Sequence, residues 1–302
     1  MTTTTGEKIS TSTTARVSKT PEERKAHAEA LHSSISEQVE QLRTTETWAA
    51  FLTFARAFHT YSINNVLLIL SQNPTATQVA GFRAWQGLGR QVRKGETGIR
   101  IFGYSQKTIT EEDDTGEEKT THIPRFPILS VFDIDQTDPI DGAVDPTLTR
   151  QLTGSTDHNI ITTLTNHLIT LGWTVTHIRI PGAVNGYANP HTQTVALDSE
   201  LSPEHQAKTL IHETAHILLG HTDTPADYSH HRGLMEVEAE SVAYIVAGLA
   251  GFDTSAYSIG YIAGWANANT ELIRETATRV LRTAHHIATV LEPNEPNTEN
   301  LS

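Results

Sequence analysis

The chain has 302 residues, a formal net charge of −13 and no cysteine. That length suits two ordinary domains, and the missing thiols exclude disulfides, thiolate metal sites and a cysteine nucleophile, so any metal must sit on His, Asp or Glu. There is no run of about 18 apolar residues and no apolar stretch behind the N-terminal charges, so neither a membrane span nor a secretory leader is expected, and a cytoplasmic location is. Residues 19–110 carry 11 Lys/Arg against 7 Asp/Glu while the remainder carries 11 against 28. A slightly basic first half is thus joined to a strongly acidic second half, and the acidic total excludes a protein that coats nucleic acid with its whole surface. Residues A, V, I, L, M, F, W and Y make up only 37% of the chain, which predicts two modest cores with long polar connections.

In chain order, residues 1–19 are Thr/Ser-rich and poor in large apolar side chains, and read as a disordered tail. Helix signals begin at Thr20-Pro21-Glu22-Glu23, which combines a capping threonine, a proline at the first helical position and a capping-box glutamate. Leu31, Ile35, Val39 and Leu42 continue at helical spacing. A second helix is predicted through Trp48, Phe51, Leu52, Ala55 and Phe58, and a third through Val66–Leu70, stopped by Asn73-Pro74. From Val79 the pattern changes to short glycine-punctuated segments, with strands at 99–102 and 126–132 and an acidic hairpin tip between them. Residues 138–157 read as a linker. There follow a helix at 159–171, a strand at 174–180, two strands joined across Asn189-Pro190, and helices at 202–220, about 234–250 and about 269–291, with a frayed tail at 292–302.

Chemistry concentrates in His212-Glu213-Thr214-Ala215-His216. An i, i+4 pair on a helix places both imidazoles on one face, where they can hold one Zn²⁺ at ~2.0–2.1 Å. Glu213, one residue on, lies beside such an ion and within reach of a water. Leu210, Ile211, Ile217 and Leu218 surround the motif and supply a dry setting. A third ligand is needed. His221 arrives one residue too early for a His-x-x-Gly-x-x-His extension, and Leu219 occupies the glycine position. In Glu236-Val237-Glu238-Ala239-Glu240, Glu238 shares a helical face with Val242, Ile245 and Leu249, so it is expected to point inward and ligate, with Glu236 and Glu240 on a solvated face.

These residues resemble the ImmA/IrrE group of gluzincin-type metallopeptidases over residues 158–291, in which the Glu of the Glu-Ala pair is the third ligand, here Glu238. The resemblance implies a small sheet whose edge is the 185–197 hairpin, against which an extended peptide could pair. Tyr61-Ser62-Ile63-Asn64-Asn65, Gln72-Asn73-Pro74, Gly81-Phe82-Arg83-Ala84-Trp85, Gly89-Arg90-Gln91-Val92-Arg93-Lys94-Gly95-Glu96 and Val131-Phe132-Asp133 form a longer ordered set. This set resembles the N-terminal single-stranded-DNA-binding domain of ArdC-type antirestriction proteins, and implies such a domain over residues 20–137. The fold expected is therefore α+β in two domains, an N-terminal single-stranded-DNA-binding domain and a C-terminal gluzincin-like zinc domain with a small sheet.

Arg83, Arg90, Arg93, Lys94, Arg100 and Lys107, set against Glu96 alone and interleaved with Phe82, Trp85, Phe102 and Tyr104, fit a phosphate track with aromatic faces for bases. DNA contacts are expected from Arg83, Trp85, Arg90, Arg93, Lys94 and Arg100. The expected function is ArdC-like antirestriction, with single-stranded DNA as partner and Zn²⁺ as cofactor. The alternatives are an ImmA/IrrE-like endopeptidase acting on a regulatory protein, with Glu213 as general base, and a binding module with structural zinc. His230, His231, Tyr257 and Tyr261 are the candidates for an oxyanion donor.

Overall fold

The computed structural model describes residues 20–112, 118–140, 159–222, 225–252 and 269–292. The expected tails, the tip of the acidic hairpin and most of the expected linker fall outside these residues, as do Tyr257 and Tyr261 and the side chains of His230 and His231.

The N-terminal half opens with three helices, α1 (Pro21–Gln41), α2 (Thr45–Ala57) and α3 (Ile63–Gln72). The capping box of α1 forms, with Thr20 Oγ1 accepting from the Glu23 amide at 3.1 Å and Glu23 Oε2 accepting from the Thr20 amide at 2.8 Å. After them come β1 (Val79–Gly81), α4 (Phe82–Gly87), β2 (Arg90–Val92), β3 (Ile99–Phe102), β4 (Ser105–Glu112), β5 (Glu118–Arg125), β6 (Ile128–Asp133) and β7 (Thr137–Pro139). An antiparallel sheet of order β1-β6-β3 packs on α3, while β2 pairs with β7 and β4 with β5 as separate two-stranded ribbons. Asp133 locks this half together. Its Oδ1 accepts from the amides of Thr77 and Gln78, both at 3.0 Å, and its Oδ2 accepts from the Asp135 amide, so this 1%-exposed carboxylate is spent on backbone donors.

The second half comprises α5 (Ile160–Thr170), β8 (Thr174–Ile178), β9 (Gly186–Asn189), β10 (Thr194–Asp198), α6 (Pro203–Leu218), α7 (Pro225–Leu249) and α8 (Thr270–Leu291). The central strand β10 runs parallel to β8 and antiparallel to β9, leaving β9 as an edge. Gly186 lets that edge press on α6, since a Cβ there would stand 2.6 Å from Thr209 Cγ2 and 2.8 Å from the Ala196 carbonyl oxygen.

The two halves share one contiguous apolar core, so the expectation of two modest cores does not hold for the described residues. The reason lies in the amphipathic helices of the first half, which bury their stripes against α7 and α8 of the second. Fully buried Trp48 donates from Nε1 to Ser241 Oγ at 2.9 Å, and Arg274 Nη2 donates to Asn64 Oδ1 at 3.2 Å. Removing an indole of this size from water stabilises the junction by about 5 kcal/mol, at ~25 cal/mol/Å² over ~200 Å². Among the described residues no helix is long and apolar enough to cross a membrane.

Candidate metal centre

Helix α6 starts where Ser202 Oγ accepts from the His205 amide and Pro203 occupies the first turn. Its buried face, including Leu210, Ile211 and Ala215, sets the helix rotation, and that rotation carries His212 and His216 to the side facing α7. Their Nε2 atoms lie 3.0 Å apart, and Glu236 Oε2 from α7 lies 3.6 Å from the first and 3.7 Å from the second. These three donor atoms converge on one point. Ligands at ~2.0–2.1 Å around a tetrahedral ion stand about 3.3 Å apart, so the donor spacing fits a small divalent cation.

The electrostatics agree with that fit. His212 is pulled down by burial, but hydrogen bonds to Glu236 and Glu240 outweigh this and raise it to about 10. Two carboxylates around an imidazole pair call for a positive charge, and a proton on His212 answers that call when no metal ion does. Glu240 Oε2 stands 3.1 Å from His212 Nδ1, behind the ring. His216 is shifted down, first by burial and then by its cationic neighbour His212, against the opposing pull of Glu236.

Glu213 is 8% exposed. Burial raises its carboxyl, with Glu236 adding to the effect and His212 and the Ala188 backbone donor opposing it. A carboxylate moved up in this way is a better match for proton transfer near neutral pH. Glu213 and Ala188 line the same cleft, which places Glu213 next to the edge strand β9. A cleft of about 560 Å³ lined by Asn185, His205, Lys208, His212 and Glu213 opens on one side. A second of about 450 Å³, lined by Tyr187, Pro190, Glu213, His216 and Glu236, opens on the other.

Glu238, expected from the sequence as third ligand, lies elsewhere. It does point inward, at 4% exposure, but its Oε2 meets His221 Nε2 at 2.8 Å and its Oε1 pairs with Arg279 Nε at 3.1 Å. Two residues along a helix is about 200° of rotation, so Glu238 cannot share a target with Glu236 and Glu240, which lie one turn apart. The overlooked signal was that i, i+4 spacing, which mirrors the spacing of the histidines.

The DNA candidates divide in the same manner. Trp85 is fully buried, with its Nε1 donating to the Phe132 carbonyl oxygen at 2.8 Å, and offers no face to a base. Arg90 is 9% exposed and donates from Nε to Thr137 Oγ1 at 2.7 Å, holding β2 to β7. Arg93 pairs with Glu96 at 2.9 Å and Asp138 at 3.4 Å, and Arg100 donates to Ser130 Oγ. Arg83 and Lys94 are exposed. The sequence reading passed over Phe126, and it put Tyr104 among the aromatics without picking it as a contact; these rings are 64% and 65% exposed with centroids 5.8 Å apart, and Arg125 and Lys107 are exposed on the adjoining β4–β5 ribbon.

Comparison with known proteins follows the same division. Residues 25–132 match the N-terminal domain of anti-restriction factor ArdC, and residues 174–249 match the IrrE N-terminal-like domain of the M78 peptidases. A relative, the uncharacterized protein pXO2-81/BXB0111/GBAA_pXO2_0111 of Bacillus anthracis, is 26% identical over 269 residues; these make up 76% of this chain, and the chain spans only 44% of that protein. The metal-free crystal structure of antirestriction ArdC from plasmid R388 is 24% identical, covering 76% of this chain and 84% of that one at a TM-score of 0.44. Its Mn(II)-bound form is 20% identical, covering 78% and 90% at 0.42. Likeness at that level does not bear on site geometry. Along one α+β chain, residues 25–132 are thus similar to the ArdC N-terminal domain and residues 174–249 to the IrrE N-terminal-like domain, in that order.

Proposed function

We propose that this chain is an ArdC-like antirestriction protein that binds single-stranded DNA through its N-terminal domain and holds a divalent cation, zinc, in a gluzincin-type site in the second. The observation that carries the metal reading is the convergence of His212, His216 and Glu236 from two packed helices, with Glu240 behind His212. Imidazole and carboxylate donors in tetrahedral spacing suit zinc. Bound there, the ion would act as a Lewis acid toward a substrate carbonyl. Glu213 would take a proton from an attacking water in the cleft it shares with Ala188, at the β9 edge where an extended peptide would pair.

On the DNA side, the exposed Tyr104–Phe126 pair replaces Trp85 as the stacking platform, with exposed Lys107 and Arg125 on the adjoining β4–β5 ribbon and exposed Arg83 and Lys94 available for phosphates. Binding should weaken with added salt, because neutralising phosphates releases counterions.

A second reading, a peptidase directed at one regulatory protein, is favoured by the open edge of β9 with clefts on both sides of Glu213. The two readings part at Glu213→Gln. The antirestriction reading expects this variant to bind single-stranded DNA and protect DNA from a restriction enzyme as well as wild type does. Loss of protection with DNA binding intact would promote the peptidase. Brisk chelator-sensitive cleavage of casein, abolished by the same change, would replace the single-target reading with a general one. Full-length protein that binds neither single-stranded DNA nor zinc overturns the proposal.

A further inference from the structure

We propose that His221, backed by Glu238 and Arg279, is a positioning residue that fixes the tautomer and ring orientation of His216 for metal binding. This rests on the metal reading above and goes beyond it, because none of these three residues reaches the convergence point.

The arrangement begins in the backbone. Helix α6 ends in a reversed turn: Gly220 has φ 74°, the Gly220 amide donates to the Ile217 carbonyl at 3.1 Å, and the His221 amide donates back to the His216 carbonyl at 3.0 Å. This paired closure on a left-handed glycine folds the chain under the last turn of the helix. The side chain of residue 221 is thereby brought back to residue 216, where a continuing helix would carry it away.

There His221 Nδ1 lies 3.0 Å from His216 Nδ1, and His221 Nε2 lies 2.8 Å from Glu238 Oε2. Two ring nitrogens at hydrogen-bond distance need one proton between them, and a carboxylate can only accept. One assignment satisfies both of these short contacts and leaves His216 able to ligate; Arg279 Nη2, 3.5 Å from His221 Nε2, then donates to the Leu219 carbonyl instead. His221 Nε2–H donates to Glu238, His216 Nδ1–H donates to His221 Nδ1, and His216 Nε2 keeps its lone pair toward Glu236 and His212. Arg279 supplies the cation opposite Glu238 at 3.1 Å, and its Nη2 is anchored on the Leu219 carbonyl at 2.8 Å, within the same turn. His221 and Glu238 are 3% and 4% exposed, so water does not compete for these bonds. Outer partners of this kind raise ligand basicity and hold the ring, and losing one typically costs 10–100-fold in metal affinity.

The test is competitive titration of zinc against a chelator on the full chain, with thermal melts of the metal-free proteins alongside. His221→Leu, which removes the acceptor, should weaken zinc by about 10–100-fold. His221→Asn keeps an oxygen near the Nδ1 position and should restore binding to within a few-fold of wild type. Equal loss in both variants would assign the effect to packing and overturn the inference, as would wild-type affinity in a folded His221→Leu protein. Wild-type protein that binds no zinc removes the metal reading itself, and this inference with it. Should His221→Leu fail to fold, the ¹⁵N spectrum of the zinc-loaded wild type decides. His221 protonated at Nε2 and bare at Nδ1 is expected, and the opposite tautomer refutes the proposal.

Discussion

Replacing Trp85 and Tyr104 in turn with alanine separates a core aromatic from the one proposed to stack on DNA, because Trp85 is fully buried and Tyr104 is exposed. The Trp85 indole is fully buried under the β1-β6-β3 sheet and closes a hydrogen bond to the Phe132 carbonyl, so the substitution opens a cavity and strands an acceptor. Trp→Ala in a core costs about 3–5 kcal/mol, and an unpaired buried carbonyl adds about 1–3. Against a total of ~5–15 kcal/mol, that is enough to leave the protein close to unfolding. Trp85→Phe should lose only the hydrogen bond and part of the volume, about 1–3 kcal/mol. Tyr104→Ala should behave in the opposite sense, with an unchanged melt and about 1–3 kcal/mol lost from DNA binding if one base stacks on it, a 5- to 150-fold weaker Kd. Urea melts followed by tryptophan emission, and fluorescence anisotropy with a labelled oligonucleotide, read the two quantities separately. A Trp85→Ala protein that melts like wild type yet fails to bind DNA would refute the assignment, and so would a Tyr104→Ala protein with undiminished affinity.

Three further outcomes are expected. Metal analysis of purified protein should find zinc lost from Glu236→Gln and retained, with reduced affinity, in Glu238→Gln; the reverse would return the third-ligand role to Glu238. Ser241→Ala leaves the Trp48 indole N–H without its acceptor at the junction of the halves and should cost about 1–3 kcal/mol, with tryptophan emission and far-ultraviolet circular dichroism still moving in one coincident transition. Two separated transitions would contradict a shared core. His59 and His167 are both shifted below 6.5, in each case first by burial and also by a neighbouring histidine of α8, so the unfolded chain binds more protons than the folded one as pH falls through 6.5. Their contribution is therefore present above that pH and is lost below it, and the Tm of wild type should fall more steeply between pH 7.5 and about 5 than that of His59→Gln/His167→Gln. Parallel curves would refute it.

Much of this molecule was legible in the sequence because the deciding information is local. A capping box states itself in four residues, Asn73-Pro74 stops a helix by sterics within one peptide unit, and His212-Glu213-Thr214-Ala215-His216 requires only that its segment be helical for both imidazoles to share a face. The edge position of β9 was expected from the resemblance to the ImmA/IrrE group, not from local pattern. The carboxylate that joins the His212/His216 pair was not legible, although it too sits on a helix. An apolar-face argument identifies which carboxylate points inward, yet inward leads to two places here, the His212/His216 pair and the His221/Arg279 pair, and only the packing of α7 against both α6 and α8 distributes Glu236, Glu238 and Glu240 between them. The same holds for Trp85 and Arg90. Basic and aromatic residues interleaved along a segment have one composition whether they face solvent or the sheet, and the closure of β2 on β7 and of α4 on β6 is a long-range event that turned both inward. Residue chemistry and local geometry were set by the sequence alone, while direction was decided by contacts between residues far apart in the chain, whose energies depend on what each face finally meets.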